Sequence, residues 1–501
     1  MPGGEFNLAQ TGNGRVFVQS GGAGPANVLD LAQLARVTNF TWSQGDITQV
    51  EVPSTSRYND FRTVDLIRGQ RGLPNLTLEG KYTLDLSERL KEVLEGCQID
   101  LRVHFGNCRN PSDPLDGWTD GKILVLEGAL PTSYDLPELG ALSSDQRAEI
   151  MESIPYTGLD FYEIGTMSPG TIAGDDLENE VVAVAICDDP QCGECGEPSD
   201  GCQVMFAVEV SDGSDTARLL FSDDGFSTQG VTNVLSLAVG EDPSDMTCVG
   251  PNVVVISNDS GSLHFAPSED IIDGSETWTE VDSGFEAGGA PNAIYSHSRT
   301  QTWIAGDGGH IYFTEDPTED VEAQTTGGVT AENLNDIHTF DGRNVVAVGD
   351  NNAVLISDNG GETWTSVTGP ATGVDLNTCW QFDRNTIFVG TSDGRLFYST
   401  NSGSTWTEKT FPGNGAGEVR DIVFARPAVG YMAHDTADPA GRVLRTIDGG
   451  NSWYVAPEGD ATLSANDRIN SLAICEHDIN LVMAGGLADD GVDGFMAKFA
   501  A

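Results

Sequence analysis

Three segments in the second half of the chain repeat one another: Ser357-Asp358-Asn359-Gly360-Gly361-Glu362-Thr363-Trp364, Thr400-Asn401-Ser402-Gly403-Ser404-Thr405-Trp406 and Thr446-Ile447-Asp448-Gly449-Gly450-Asn451-Ser452-Trp453. The shared pattern is Ser/Thr-x-Asp-x-Gly-x-Thr-Trp, with local departures. The tryptophans stand 42 and 47 residues apart. A repeat of this length is one four-stranded propeller blade. Its chemistry suits a tight turn. Ser and Asp side chains cap main-chain N–H groups, Gly supplies positive φ, and the Trp packs between blades. Degenerate copies lie upstream. Ser268-Glu269-Asp270 leads to Trp278, which is 86 residues, or two periods, before Trp364. Phe313-Thr314-Glu315-Asp316 keeps the acidic turn without the Trp, and Phe221 to Ser227, with Asp224, is an earlier copy.

A second repeat runs in phase with the first. It is a β-rich apolar run ending in small residues, as in Asn344 to Asp350, Thr386 to Gly390, Thr302 to Asp307 and Leu481 to Gly486. Such runs with Gly turns read as strands, and their small residues suit inner strands crowded near an axis. Both repeats together give seven units between about Glu180 and Ala501. The last unit ends at Phe495 to Phe499 without a fourth strand. A propeller leaves no open sheet edge, so the closing strand is expected from upstream, around Asp160 to Ile164.

The short repeat resembles the Asp-box, or BNR repeat, of sialidases and photosystem assembly factors. The resemblance implies a turn between the third and fourth strands of each blade. It implies structural roles for Asp224, Trp278, Ser357, Asp358, Trp364, Trp406, Asp448 and Trp453. A sialidase site also needs an arginine triad, a Tyr/Glu nucleophile pair, an acid Asp and an Arg-Ile-Pro stretch. The chain has no Arg-Ile-Pro, and residues 180–501 hold ten arginines among many carboxylates. The seven histidines form no metal-ligand motif, and no Ser elbow, P-loop or Rossmann motif occurs. A sialidase-like glycosidase is therefore the least favoured reading, and the resemblance to photosystem assembly factors leaves a non-enzymatic scaffold that docks a partner on its axial face as the alternative.

Residues 1–170 are not propeller-like. Strands are expected at Arg15 to Val18, Val37 to Trp42, Ile47 to Val52, Ile99 to Phe105 and Ile123 to Leu126. Two more are expected within Thr63 to Thr83, broken at Arg68 to Gly72. Leu86 to Glu95 reads as a helix, with Asp85 and Glu88 as its capping pair and Gly96 as its stop. Ser144 to Glu152 reads as a second, shorter helix. The fold class expected is thus mainly β: an N-terminal β-sandwich with one packed helix over residues 1–170, then a roughly seven-bladed propeller over residues 171–501. The order of arm, sandwich, helix and hairpins resembles the tail tube proteins of tailed viruses. That resemblance implies a virion protein, assembled in the host cytoplasm. Its homo-hexameric rings would stack into a tube with other virion proteins, and its propeller would hang outside as a decoration or as a binder of a host surface or glycan.

Charge narrows the partners. The chain holds 25 basic and 77 acidic residues, for a net charge of −52. Residues 1–179 hold 13 basic and 26 acidic, leaving 12 and 51, or −39, for residues 180–501. Only five residues are Lys. Such a surface is screened at multimolar salt, which suits a halophilic source such as a haloarchaeal virus. It disfavours nucleic acid and anionic membranes. No signal peptide and no membrane span are read in the sequence. Cys187, Cys192, Cys195 and Cys202 have the spacing C-x4-C-x2-C-x6-C. They suit a Zn²⁺ site, two disulfides or free thiols, and Cys97 and Cys108 could form another disulfide. Acidic turns such as Asp489 to Asp493 suit loosely held Ca²⁺, Mg²⁺, K⁺ or Na⁺.

Overall fold

A computed structural model describes the strands of residues 1–178. It also describes residues 179–500 except 189–202, 211–216, 223–229, 233–240, 259–260, 283, 320, 325–327, 436–440, 457–467, 475–478 and 489–493. The chain forms two compact units. Unit 1 comprises residues 1–23 and 27–166, and unit 2 comprises residues 24–26 and 167–501. The main division falls at 166/167, ahead of the expected 170/171.

Unit 1 is the mainly β domain expected, and six of its strands pair in one continuous antiparallel circuit. Leu31–Ser43 pairs with Arg15–Ser20, which pairs with Ile99–His104, then Ile123–Pro131, Ile150–Thr157 and Asn75–Tyr82, which returns to Leu31–Ser43. Gly4–Asn7 extends Leu31–Ser43, and Ile47–Pro53 pairs with Val64–Arg71 as a separate hairpin. That last strand runs through the expected break at Arg68, because its ladder partner continues to Ile47. Ile150 to Glu152 are strand, not helix, since their main chains pair with Gly80 to Tyr82. The expected helix Leu86 to Glu95 lies outside the described residues.

Unit 2 is a seven-bladed β-propeller, each blade a four-stranded antiparallel sheet. The innermost strands of blades 1 to 7 are Val181–Asp188, Pro243–Val249, Pro291–Ser298, Leu334–Thr339, Leu376–Gln381, Glu418–Phe424 and Arg468–Ile474. Each packs beside the next, and blade 7 returns to blade 1. The sequence pattern explains the layering. The second strands Val345–Gly349 and Ile387–Thr391 are buried throughout. A blade is covered by a neighbour on both faces, so these strands are continuous apolar runs rather than alternating ones. The outermost strand Thr365–Thr368 is mostly exposed and correspondingly polar.

The core lies between blades. Val346, Val348 and Val354 of blade 4 pack on Leu376, Cys379, Ile387 and Val389 of blade 5. Each such aliphatic side chain contributes about 1.5–3 kcal/mol. The runs ending in small residues prove to be second strands, not the inner ones. Their glycines are needed where the chain enters the inner strand. A Cβ on Gly349 would stand 1.9 Å from the Asn333 carbonyl oxygen.

Ring closure uses Ser168–Gly170 as the outermost strand of blade 7, paired with Lys498 to Ala500. Asp160–Ile164, the expected closing strand, instead pairs with Ile123 to Glu127 in unit 1. Three residues suffice, because outer strands are short throughout the propeller; the outer strand of blade 6 has two.

Candidate functional site

Each innermost strand carries a register shift near its start, and the residue at the shift is Val182, Ser244, Asn292, Asn335, Asn377, Arg420 or Asn470. A bulge re-aims a side chain out of the ladder, and here it aims most of them at the next blade. Asn292 Nδ2 donates to the Leu334 carbonyl, Asn335 Nδ2 to Leu376 and Asn377 Nδ2 to Val419, each at 3.1 Å. Asn470 Nδ2 donates to Val181 at 2.9 Å, and Ser244 Oγ to Pro291 at 2.9 Å.

The next position builds a second tier. It is Ala183, Asp245, Ala293, Asp336, Thr378, Asp421 and Ser471 in blades 1 to 7. Asp245 accepts from its neighbour Met246 N at 2.7 Å and from Ile294 N of blade 3 at 2.9 Å. Asp336 accepts from Ile337 N and from Cys379 N of blade 5, both at 2.7 Å. Asp421 accepts from Ile422 N and, at 2.7 Å, from Leu472 N of blade 7. Ser471 Oγ accepts from Val184 N of blade 1 at 3.3 Å. Three carboxylates take two amides each and one hydroxyl takes the seventh. An odd number of blades is thereby closed with no inner amide of this tier left over.

These carboxylates are only partly accessible to water and are otherwise enclosed by protein. Burial pushes Asp245 up to about 7, Asp336 to about 8 and Asp421 to about 6, against the pull of the amide bonds. Asp421 raises both others by repulsion. One level further along the strands, His338 lies between Tyr295 and Trp380, with ring centroids 4.4 Å and 4.0 Å away. Its Nδ1 accepts from Gln381 N at 3.1 Å, and burial lowers it to about 3, so the ring is neutral.

The repeated turns join the third and fourth strands of their blades. Ser357 Oγ accepts from Gly361 N at 2.8 Å, Ser399 Oγ from Gly403 N at 2.9 Å and Thr446 Oγ1 from Gly450 N at 2.8 Å. Asn359, Asn401 and Asp448 then accept from the N–H of Thr363, Thr405 and Ser452. In the first copy Asn359 therefore closes the turn. Asp358 is exposed and pairs with Arg384 at 3.3 Å. Two successive left-handed residues bend each turn, and Ser402 does so without being Gly (φ 53), its Oγ donating to the Arg384 carbonyl.

Trp364 packs on blade 3 residues including Trp303 and Ile311, Trp406 on blade 4, Trp453 on Phe388 and Leu396 of blade 5, and Trp278 on Val204 and Phe206 of blade 1. All four thus sit against the preceding blade. Asp224 lies outside the described residues.

Cys187 is joined to Cys248, linking the innermost strands of blades 1 and 2 with Cα atoms 5.7 Å apart. Its sulfur is thus unavailable to a four-thiolate set while that bond stands. Cys192, Cys195, Cys202, Cys97 and Cys108 lie outside the described residues, as do Asp489 to Asp493. Several propeller arginines are paired with carboxylates. Arg218 bonds Glu209, Arg395 bonds Asp393, Arg420 bonds Glu418 and Asp435, and Arg468 bonds Glu180.

The axial belt went unread in the sequence, although a signal was present. Pro291-Asn292-Ala293-Ile294, Leu334-Asn335-Asp336-Ile337, Leu376-Asn377-Thr378-Cys379 and Ile469-Asn470-Ser471-Leu472 share an apolar-Asn-x-apolar pattern, recurring after one blade period or, in the last case, two.

No family profile matches the chain, and no curated protein does. Among solved structures, the chain is similar to YCF48 bound to D1 peptide, at 13% identity and TM-score 0.49, over 68% of this chain and 96% of that one. It is similar to YCF48 from Cyanidioschyzon merolae at 15% identity and TM-score 0.46, over 67% and 98%. It is similar to U3-55K at 9% identity and TM-score 0.47, over 67% and 98%.

Proposed function

We propose that this chain is a non-enzymatic structural and binding protein, in which unit 1 self-associates and the propeller is a rigid acidic binding module. The observation that carries the reading is the axial belt. A glycosidase needs a carboxylate pair free to exchange protons with substrate. Asp245, Asp336 and Asp421 each accept two main-chain amides, one from their own blade and one from the next, which supports a bracing role for them. Such a ring is a stiff platform whose turns vary without disturbing its axis.

The concrete form proposed is a virion tail tube subunit. The antiparallel pairing of the strands of residues 1–166 and the order of arm, strands and helix read in the sequence support it. Hexameric rings of unit 1 would stack, with the propeller serving as a decoration or as a binder of a host surface or glycan. The acidic surface favours assembly in concentrated salt. Negative-stain electron microscopy of the full chain in multimolar KCl tests the proposal. Rings or stacked tubes with peripheral knobs are expected. Monodisperse single particles would remove the tube and leave the binding module. Turnover of a chromogenic glycoside would overturn the non-enzymatic reading.

A further inference from the structure

The seven blade interfaces are not sealed alike. Interfaces 2–3 through 5–6 and 7–1 each carry the bond from the bulge residue to the next blade's carbonyl. Interface 6–7 has Arg420 at the bulge, turned to Asp435, but keeps the Asp421 bond to Leu472 N. At interface 1–2 the two positions are Val182 and Ala183, whose side chains carry no polar atom. Neither tier can be built there. It is at this interface that Cys187 and Cys248 are bonded, near the ends of the two innermost strands.

We propose that the Cys187–Cys248 disulfide is a redox-sensitive clasp that replaces the missing polar stitches at the seam between blades 1 and 2. Reduction by a dithiol breaks the S–S bond. Two electrons and two protons pass to the cysteine sulfurs, giving two thiols, and the dithiol leaves as its own disulfide. Among the described residues, the packing left between the two innermost strands and their neighbours includes apolar contacts such as Met246 with Val204 and Phe206. The seam then opens more readily than the six stitched interfaces, and reoxidation closes it.

The test is hydrogen–deuterium exchange of the full chain with and without dithiothreitol, with non-reducing peptide mapping of the same samples. A linked Cys187–Cys248 peptide is expected. On reduction, amides of Val181–Asp188 and Pro243–Val249 should exchange about tenfold faster, while Leu334–Thr339 and Leu376–Gln381 stay unchanged. Unchanged exchange at the seam, or an equal rise in all seven innermost strands, would overturn the clasp. So would Cys187 found linked to Cys192, Cys195 or Cys202. In Cys248→Ser the seam should exchange fast without reductant. Adding Val182→Asn to that variant should slow it again, by supplying a donor to the Pro243 carbonyl. Lack of rescue would count against the stitch argument. Should Cys248→Ser fail to fold, the wild-type chain with dithiothreitol still decides.

Discussion

Asp336 is gripped by amides of two blades and repelled by two other carboxylates. Its folded pKa is raised, so the folded chain holds a proton that the unfolded chain gives up. That contribution to stability is complete below about pH 4, the ordinary Asp range. It is lost as pH rises through about 8. Asp421 and Asp245 lose theirs through about 6 and about 7. Thermal unfolding from pH 4 to 9 should therefore show a fall attributable to these groups. Asp336→Asn should flatten it at the upper end, and an unchanged slope would show that this carboxyl does not titrate there. Trp364 gives a second prediction. It is buried against blade 3, so Trp364→Ala should cost about 3–5 kcal/mol, as aromatic truncations in cores do. Denaturant unfolding measures this, and no loss would contradict the packing role.

A blade is not a self-sufficient element; some of its polar connections run to its neighbours. Asn335 donates both to Asp350 in its own blade and to the Leu376 carbonyl of the next. Asn335→Ala should cost about 1–3 kcal/mol, the range for a lost hydrogen bond that leaves a buried acceptor. Amide exchange should quicken at Leu376–Gln381 more than at Pro291–Ser298, since the bond points toward blade 5. The repeated turns were legible in sequence because a turn is local: Ser, Asx, Gly and Thr all act within eight residues. Even so, local reading misassigned one partner. Asp358 and Asn359 are adjacent and both plausible caps, and only the backbone path turns Asn359 inward. The Asn belt was less legible, because an Asn beside apolar residues signals nothing until its partner, about 42 residues away in sequence, becomes its neighbour.

At the scale of the molecule, the propeller is closed by three residues, Ser168–Gly170, on the edge of the last blade. Removing them would leave Gly494–Ala500 as an open edge strand. A fragment of residues 167–501 should unfold in one cooperative transition, and one of residues 171–501 at lower temperature and with greater aggregation. Equal behaviour would mean that closure does not depend on this strand. Net charge acts at the same scale. Residues 180–501 carry −39, so thermal stability should rise with KCl as self-repulsion is screened; a flat salt profile would mean that self-repulsion does not limit stability.

By itself the sequence determined the blade period, the turn chemistry and the position of the tryptophans, and the structure then settled the blade count at seven. Each of those first three is written within one repeat and recurs until it is unmistakable. Only the tertiary structure decided which strand closes the ring, which polar group bridges each interface and which cysteines meet. Those pairings join residues tens to hundreds apart in sequence, and Ser168–Gly170 meets Lys498 to Ala500 only because the ring brings its two ends together. The physical reason is that a repeat specifies how a blade is made, whereas interfaces are chosen by which buried donors and acceptors, or which sulfurs, are left to be satisfied when seven blades share one axis.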